Sequence, residues 1–158
     1  MAHIVVLGAG IGGMPMAYEM KALARPQDTV TVISDSPRFQ FVPSNPWVAV
    51  NWRKRSDIEI EIAPALARKG IAFIGQAARR VHPERNEIEL GDGQTVSYDF
   101  LVIATGPKLA FDEIPGLGPE QFTQSICHVA HAERSQSQWE RFVADPGPIV
   151  VGAVQGAS

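Results

Sequence analysis

The hydrophobic residues of the chain form short continuous runs that alternate with segments of helical spacing. Such runs are typical of parallel strands buried on both faces. The predicted strands are residues 3–7, 29–34, 71–74 and the run that ends at Ala104. The spacing between them predicts helices over 14–23 and 64–69. Alternating strands and helices predict an α/β fold built on a parallel sheet.

Before the last run, residues 86–90 and 95–98 alternate polar and apolar side chains around the glycine-rich turn 91–94. This pattern predicts an antiparallel pair. The pair stands where a simple dehydrogenase has a crossover helix, so this β meander favours the flavin-binding variant of the fold. Residues 56–62 also alternate, and they are interpreted either as a strand or as the approach to the second helix.

The strongest chemical signal follows the first strand. Gly8, Gly10 and Gly13 fit Gly-x-Gly-x-x-Gly between a strand and a helix, within a βαβ unit of about thirty residues. In such a turn the first glycine permits the bend, the second lets a pyrophosphate approach the backbone, and the third lets the helix pack closely. The N–H groups at the helix start would face the pyrophosphate. This stretch is predicted to bind a dinucleotide rather than to be a purely structural turn.

The second strand ends at Ser34 and Asp35, where dinucleotide-binding folds place an acid on the ribose hydroxyl groups. Either residue is predicted to bind the ribose. The alternative is that Asp35 is only a turn residue in the segment 34–37. No basic residue stands at the strand end itself, which argues against a ligand with a 2′-phosphate. Arg38 is close enough in sequence that such a ligand stays an open alternative.

Residues 39–47 are dense in aromatic residues and prolines. Proline restricts the residue before it, so Val42–Pro43 and Asn45–Pro46 predict a stiff extended loop rather than a helix. This loop either forms one wall of a binding site for a planar ring of a ligand or packs its aromatic side chains into a core. The basic segment 51–57 that follows is predicted to be a solvated turn.

Composition narrows the function classes. The 14 basic and 17 acidic residues give a net charge of −3, so there is no electrostatic footprint for nucleic acid or an anionic membrane. We expect no signal peptide, because no basic segment precedes the first apolar run, and no membrane span, because every run is too short. A single cysteine, Cys127, excludes an internal disulfide and a thiolate metal cluster, and is compatible with a reducing compartment.

Cys127 is followed by His128 and, one turn later, by His131, in a segment predicted to enter a helix through 139–143. A nucleophilic cysteine needs a neighbouring imidazolium or a helix N-terminus to become a thiolate. On these residues alone, a small buried cysteine and solvent-facing histidines are the commoner interpretation.

The order of these features resembles the FAD-binding half of the two-dinucleotide-binding flavoprotein disulfide-reductase superfamily. It comprises a glycine turn, a serine or acid, a β meander, an Asp-Gly turn and the Ala-Thr-Gly of residues 104–106. Within that superfamily, several stretches resemble sulfide:quinone oxidoreductase and its relative, flavocytochrome c sulfide dehydrogenase. They are residues 12–20, 41–47, 104–109, 125–127 and 152–158.

The resemblance implies a Rossmann-like, three-layer β-β-α fold that binds FAD. With the motifs above, it predicts as cofactor contacts Gly8, Ala9, Gly10, Ile11, Gly12, Gly13, Ser34, Asp35, Val42, Pro43, Ser44, Ala77, Ala78, Ala104, Thr105, Gly106 and Pro107. It also implies that Cys127 takes part in a sulfur relay beside the flavin and that His131 carries protons. The implied reaction oxidises sulfide to polysulfide or sulfur and passes the electrons to membrane quinone.

Residues 1–107 are interpreted as the FAD-binding domain, and 108–158 as a connection and the first strand, 148–152, of an incomplete second domain. Gln155 in the glycine turn of that strand argues against NAD(P)H binding there. We expect a fragment of a roughly threefold longer protein, inactive by itself, whose membrane contact lies in the missing part. An unpaired strand invites association, so 108–158 are predicted to be poorly ordered or paired with a second copy in a homo-oligomer.

The predicted function is therefore the FAD-binding part of a sulfide-oxidising, quinone-reducing flavoprotein, in the cytoplasm or peripheral on the cytoplasmic membrane. Two alternatives stay open. One is an NADH:quinone or disulfide reductase of the same superfamily, although residues 14–23 lack the Cys-x-x-x-x-Cys pair of the disulfide reductases. The other is a nucleotide-binding module without turnover.

Overall fold

The centre of the molecule is a four-stranded parallel sheet, seen in a computed structural model that describes residues 1–153. Across the sheet, the strands are β5 (Ala72–Ile74), β2 (Thr29–Ile33), β1 (His3–Leu7) and β9 (Phe100–Ile103). The chain moves from β1 to β2 and β5 on one side, then returns to the other side of β1 with β9. The topological switch point, where such folds bind ligands, therefore lies at the carboxyl end of β1.

Helices cover one face of this sheet and a small antiparallel sheet covers the other. The helices are α1 (Gly13–Leu23) and α3 (Ile62–Ala67), and the small sheet consists of β6 (Ala78–His82), β7 (Glu87–Leu90) and β8 (Thr95–Ser97). Along β1, buried Val6 packs with the helices, whereas buried Val5 and Leu7 pack with the meander. Successive side chains of a strand point to opposite faces, which explains the continuous apolar run. The predicted three-layer α/β fold with a β-meander crossover is confirmed.

The meander has one strand more than the sequence pattern predicts. β6 pairs with β7, and the register shifts between Ala78 and Arg80. Arg79 and Arg80 are both exposed, because the irregularity places two consecutive side chains towards solvent. This breaks the period of two and hides the strand from a pattern analysis.

Two helical segments replace the extended loop that was predicted for 39–47. A 3₁₀ turn covers Val42–Ser44, and α2 covers Asn45–Ala49. Pro43 and Pro46 lie in the first two positions of these segments, where a backbone N–H has no intrahelical acceptor. The prediction was wrong because each proline begins a helical turn here instead of preventing one.

These helical segments lie between the two strands of a small antiparallel sheet. It pairs β3 (Arg38–Gln40) with β4 (Glu59–Glu61), and β4 runs directly into α3. The alternating segment 56–62 is thus both a short strand and the approach to the helix. The helix begins before Pro64, the predicted start, because proline is tolerated within the first turn.

A long helix, α4 (Val129–Ala144), packs against α2. Val129 is buried with Val48 in a separate hydrophobic cluster, and Gln136 Nε2 donates to the Val48 carbonyl at 2.8 Å. The prediction that residues 108–158 are poorly ordered or paired with a second copy was therefore wrong for α4. The division of the chain at residue 107 stays a prediction.

Residues 148–152 form no helix or strand, so the strand predicted there is absent. Ile149, Val150 and Val151 are exposed. A strand needs a hydrogen-bonding neighbour, and none lies beside this segment in the described part of the chain. Gln155 and the rest of the predicted glycine turn from residue 154 onward lie outside the described residues, and association through this segment stays a prediction.

Asp28 ties the start of β2 to the N-terminal residues. Its carboxylate accepts hydrogen bonds from Arg25 Nε at 2.9 Å and from the Ala2 N–H at 2.7 Å. The Arg25 hydrogen bond, and next the Ala2 N–H, lower the pKa of Asp28 to about 2. Because this pKa lies below that of the unfolded chain, the stabilisation is present above about pH 4 and is lost as the pH falls towards the folded-state pKa.

We therefore expect Asp28→Asn to lower the urea midpoint of unfolding at neutral pH. The midpoints of the variant and the wild type should converge as the pH falls through the pKa of Asp28 in the folded chain, about 2. Urea titrations of both proteins across this pH range make the test, with Asp35→Asn as the exposed-carboxylate control. A difference in midpoint that does not change with pH would contradict it.

Candidate functional site

A cleft of about 470 Å³ opens at the carboxyl ends of β1, β2 and β9. Most of the predicted cofactor contacts line it: Gly8, Ala9, Gly10, Ser34, Asp35, Val42, Ala77, Ala78, Ala104 and Thr105. The remaining ones do not: Ile11, Gly12, Gly13, Pro43, Ser44, Gly106 and Pro107. The cleft lies at the topological switch point, so the fold itself brings these distant segments together.

Two glycines of the turn are required by the chain's own packing. Gly8 has a φ of +101°, and a Cβ there would collide with the carbonyl group of Ala104. A Cβ on Gly13 would collide with the carbonyl oxygen of Gly8. The first glycine therefore makes the bend next to β9, and the third brings α1 against the end of β1.

Gly10 is different, because nothing in the protein requires a glycine there. A Cβ at this position would meet no atom within 4 Å, and its φ lies outside the left-handed region. Gly10 is exposed and lines the cleft. The space beside its backbone is therefore available to a ligand, as the second glycine of a dinucleotide turn requires.

The N-terminus of α1 is directed to the same place and has no side-chain cap. The first N–H groups that donate into the helix are those of Met14, to Gly10 O at 3.0 Å, and Met16, to Gly12 O at 3.3 Å. Earlier N–H groups have no acceptor within the helix and carry its partial positive charge. A pyrophosphate supplies both the acceptors and the negative charge, so the turn fits a dinucleotide.

Both candidates for the ribose contact line the cleft. Ser34 Oγ already accepts the Ser36 N–H at 3.3 Å, which closes the turn after β2. The exposed carboxylate of Asp35 makes no hydrogen bond in the described part of the chain. Its two oxygens are free to accept hydroxyl protons, so the geometry favours Asp35 over Ser34.

Beyond Asp35, Arg38 and Gln40 continue the wall of the cleft from β3. Alternate residues of a strand share a face, which places both side chains on one side. The Arg38 guanidinium lies 3.9 Å from the Glu59 carboxylate and 3.7 Å from that of Glu61. Neither contact is a hydrogen bond, and Glu59 accepts from Arg55 Nε at 2.9 Å. Gln40 was not among the predicted site residues, because this short strand was predicted to be a loop.

A residue outside the turn, Arg53, stabilises the turn that contains Pro43 and Ser44. Ser44 is buried, and its hydroxyl accepts a hydrogen bond from Arg53 Nη1 at 2.9 Å. The Arg53 guanidinium also lies 3.8 Å from the ring centroid of Trp47, a cation–π geometry. The segment 51–57 is exposed, as predicted, yet Arg53 supports the turn beside the cleft. Of the alternatives for the aromatic residues, Phe39 packs against the main core, whereas Phe41 and Trp47 are exposed.

Cys127 lies just before α4 and is exposed, which excludes the interpretation of a buried cysteine. Its N–H donates to Ser125 Oγ at 3.2 Å. Cys127 does not line the cleft, but the next residue, His128, does. His128 Nδ1 accepts the Ala130 N–H and caps the helix. The sequence analysis missed this residue as a cleft residue, although its place beside Cys127 was a signal.

His131 lies one turn into α4, with its ring centroid 5.7 Å from those of both His128 and Phe111. Its Nδ1 is buried and has no partner among residues 1–153. Burial lowers the pKa of His131, and the neighbouring His128 and Arg134 lower it further. The imidazole is therefore neutral near neutral pH and able to take up a proton.

Residues 2–154 match the model of a protein family described as pyridine nucleotide-disulphide oxidoreductase. The chain belongs to this family. Its parallel sheet, glycine turn and meander are those of the family's Rossmann-like fold. Within the described residues, this chain has no helix that is both long enough and apolar enough to cross a bilayer.

Two relatives and one solved structure are informative for this chain. Sulfide-quinone reductase of Aquifex aeolicus (strain VF5) is 42% identical over 156 residues, which cover 99% of this chain and 35% of that protein. The mitochondrial sulfide:quinone oxidoreductase of Mus musculus is 30% identical over 121 residues, or 76% of this chain and 26% of that protein. The X-ray structure of the Aquifex aeolicus sulfide:quinone oxidoreductase matches with a TM-score of 0.83 and 40% identity, over 94% of this chain and 34% of that one.

The similarity to sulfide:quinone oxidoreductases that the sequence motifs predicted is thereby confirmed. The chain spans between a quarter and about a third of the length of these relatives.

Proposed function

We propose that this chain is the FAD-binding part of a sulfide:quinone oxidoreductase. The observation that carries the proposal is the open space beside Gly10, at the uncapped N-terminus of α1, within a cleft at the switch point of the sheet. This space fits a pyrophosphate and has no role in the protein's own packing. The similarity to sulfide:quinone oxidoreductases supports the choice of FAD and of the reaction.

In this proposal, the turn from Gly8 to Gly13 holds the pyrophosphate of FAD and Asp35 binds the ribose hydroxyl groups. Ala77, Ala78, Ala104 and Thr105 line the cleft; the backbone of the first two would lie beside the adenosine end, and the other two would lie beside the pyrophosphate. Val42 forms the wall at the flavin end, and the turn that contains Pro43 and Ser44 supports it from behind. FAD, when bound, supplies an acceptor for two electrons.

Cys127 and His131 are the proposed reactive residues. The exposed Cys127 thiol is available to bind sulfur, and it adjoins His128 in the wall of the cleft. The neutral imidazole of His131 can accept a proton released from a thiol or from hydrogen sulfide. Sulfide and quinone are the proposed partners of the whole protein, and quinone would be met at a membrane surface.

The ribose contact gives a direct test of the site. We expect Asp35→Asn to weaken the binding of both ADP and FAD by about tenfold, because an amide replaces one of two acceptor oxygens and removes the charge. Ser34→Ala should have a smaller effect. Titrations followed by isothermal calorimetry compare the two variants. If Ser34→Ala loses the affinity and Asp35→Asn keeps it, the ribose contact belongs to Ser34.

The function is tested on the purified full-length protein that contains this chain, by adding FAD and following the visible flavin absorption and the quenching of flavin fluorescence. We expect tight binding and then, without oxygen, loss of the flavin absorption on addition of sulfide but not of NADH. Reduction by NADH alone would favour an NADH-dependent reductase. A protein that binds FAD but is reduced by neither reagent would favour a binding module.

A further inference from the structure

Two amide side chains meet at the wall of the cleft between Asp35 and Val42. Gln40 lines the cleft, and its Nε2 lies 2.7 Å from Oδ1 of Asn45. Asn45 is completely buried, at 0% exposure. Its Nδ2 has no hydrogen-bond acceptor among residues 1–153.

A buried N–H group without an acceptor is rare and unfavourable. Rotating both amides by 180° gives Asn45 Nδ2 an acceptor, Gln40 Oε1, across the same separation. The group then left without a partner is Asn45 Oδ1, and an unpaired buried carbonyl is better tolerated than an unpaired N–H. In this arrangement, the amino group of Gln40 is the one that remains free.

The free amino group of Gln40 stands on a residue that lines the cleft, so it is available as a donor to a ligand. A dinucleotide offers acceptor oxygens along its whole length, on the phosphates, the ribose and the flavin half. The nearby cation, Arg38, lies 3.9 Å from Glu59 and 3.7 Å from Glu61, and Glu59 accepts its hydrogen bond from Arg55 Nε at 2.9 Å. Beside this charged donor, Gln40 offers a neutral one on the same wall.

We propose that Gln40 donates a hydrogen bond from its amide to an oxygen of the bound dinucleotide, and that buried Asn45 is the positioning residue that orients this amide. This inference rests on the proposed function, because it requires a dinucleotide in the cleft. It assigns a role to a residue that no sequence motif marks.

The test compares FAD binding and thermal unfolding of the apoprotein for two variants of Gln40. Gln40→Met keeps the length of the side chain and removes the donor, so the dissociation constant for FAD should rise about tenfold. Gln40→Glu can still accept from Asn45 Nδ2, so the apoprotein should stay folded while its affinity for FAD falls; its carboxylate lies opposite Glu59 across the β3–β4 pair, which lowers its Tm by a modest amount. A purely structural Gln40 would not combine a folded apoprotein with lost affinity.

Two controls separate the hydrogen bond from other effects. Gln94→Met removes an exposed amide on the turn between β7 and β8, and it should leave FAD binding unchanged. Repeating the Gln40→Glu titration at high salt screens repulsion between the new carboxylate and the phosphates, so the loss that persists reports the missing donor.

The orientation of the Gln40 amide is tested with the variant Asn45→Asp. A carboxylate can only accept, so it holds Gln40 Nε2 inward and turns Oε1 to the cleft. FAD affinity should then fall as in Gln40→Met, although Gln40 is intact. If the buried carboxylate prevents folding, Asn45→Ala removes the partner and should give a similar loss of affinity. Wild-type affinity in the folded Asn45 variant overturns the positioning role.

The outcomes distinguish this inference from the proposed function. If the wild-type protein does not bind FAD, the proposed function fails. If the wild type binds FAD and both Gln40 variants bind it equally well, the inference about Gln40 is overturned. Parallel titrations with ADP locate the oxygen: equal losses for ADP and FAD place it on the adenosine or phosphates, and a loss for FAD alone places it on the flavin half.

Discussion

Replacing Gly10 by valine is expected to abolish dinucleotide binding while the fold remains intact. A Cβ at Gly10 meets no protein atom within 4 Å, so the fold has room for the side chain. The same space is the approach to the N–H groups before Met14, and the two methyl groups of valine would fill it. We expect the dissociation constants for FAD and ADP to rise about a hundredfold or more, because the pyrophosphate contacts are lost.

The measurement pairs calorimetric titration with FAD and thermal unfolding of the apoprotein. Gly147→Val is the matched control, because a Cβ on Gly147 also meets no atom within 4 Å and this residue does not line the cleft. It should bind FAD as the wild type does. Gly10→Ala should be intermediate. If Gly10→Val binds FAD with wild-type affinity, the dinucleotide does not lie in this turn.

Replacing Gly13 by alanine should have the opposite result, a large loss of stability that needs no ligand to be seen. Its Cβ would collide with the carbonyl oxygen of Gly8, a backbone atom held by the bend at the end of β1. Because neither the helix nor the bend can move without disturbing the sheet, we expect a loss of about 3 kcal/mol or more in the free energy of unfolding.

Gly12→Ala provides the control for this loss. It adds the same methyl group one residue earlier, where the nearest atom outside the turn is Ala104 Cβ at 3.9 Å. Its effect should stay within about 0.5 kcal/mol. Urea titrations of the two variants and the wild type measure the difference. Equal midpoints for Gly13→Ala and Gly12→Ala would show that α1 does not pack as tightly as described.

The parallel sheet and its glycine turn could be predicted from sequence because their signals are local and strong. Val5, Val6 and Leu7 are apolar in succession because both faces of β1 are covered. The segment after β2 could not be predicted in the same way. Pro43 and Pro46 are compatible with an extended loop or with the start of a helix, and only tertiary packing decides between them.

The residues of the candidate site also differ in this respect: some have a local sequence signal, and others are placed only by tertiary packing. The glycine motif indicates a dinucleotide, but it does not say which glycine serves the ligand and which serves the fold; the atoms around Gly10 and Gly13 do. Gln40 and His128 enter the cleft through tertiary structure, one on a strand of three residues and the other at a helix cap. Gln40 carries no pattern in sequence, and the sequence signal for His128 is its place beside Cys127.

The packing of α4 on α2 has a thermodynamic consequence for binding. His128, at the start of α4, lies on the cleft, and α2 continues from the turn that carries Val42 on another wall. A ligand that touches both walls binds only the form in which the two helices are docked. Binding of the cofactor and docking of α4 on α2 therefore stabilise each other by linkage. Amide protons of α4, far along the chain from the glycine turn, should exchange more slowly with solvent once the dinucleotide is bound.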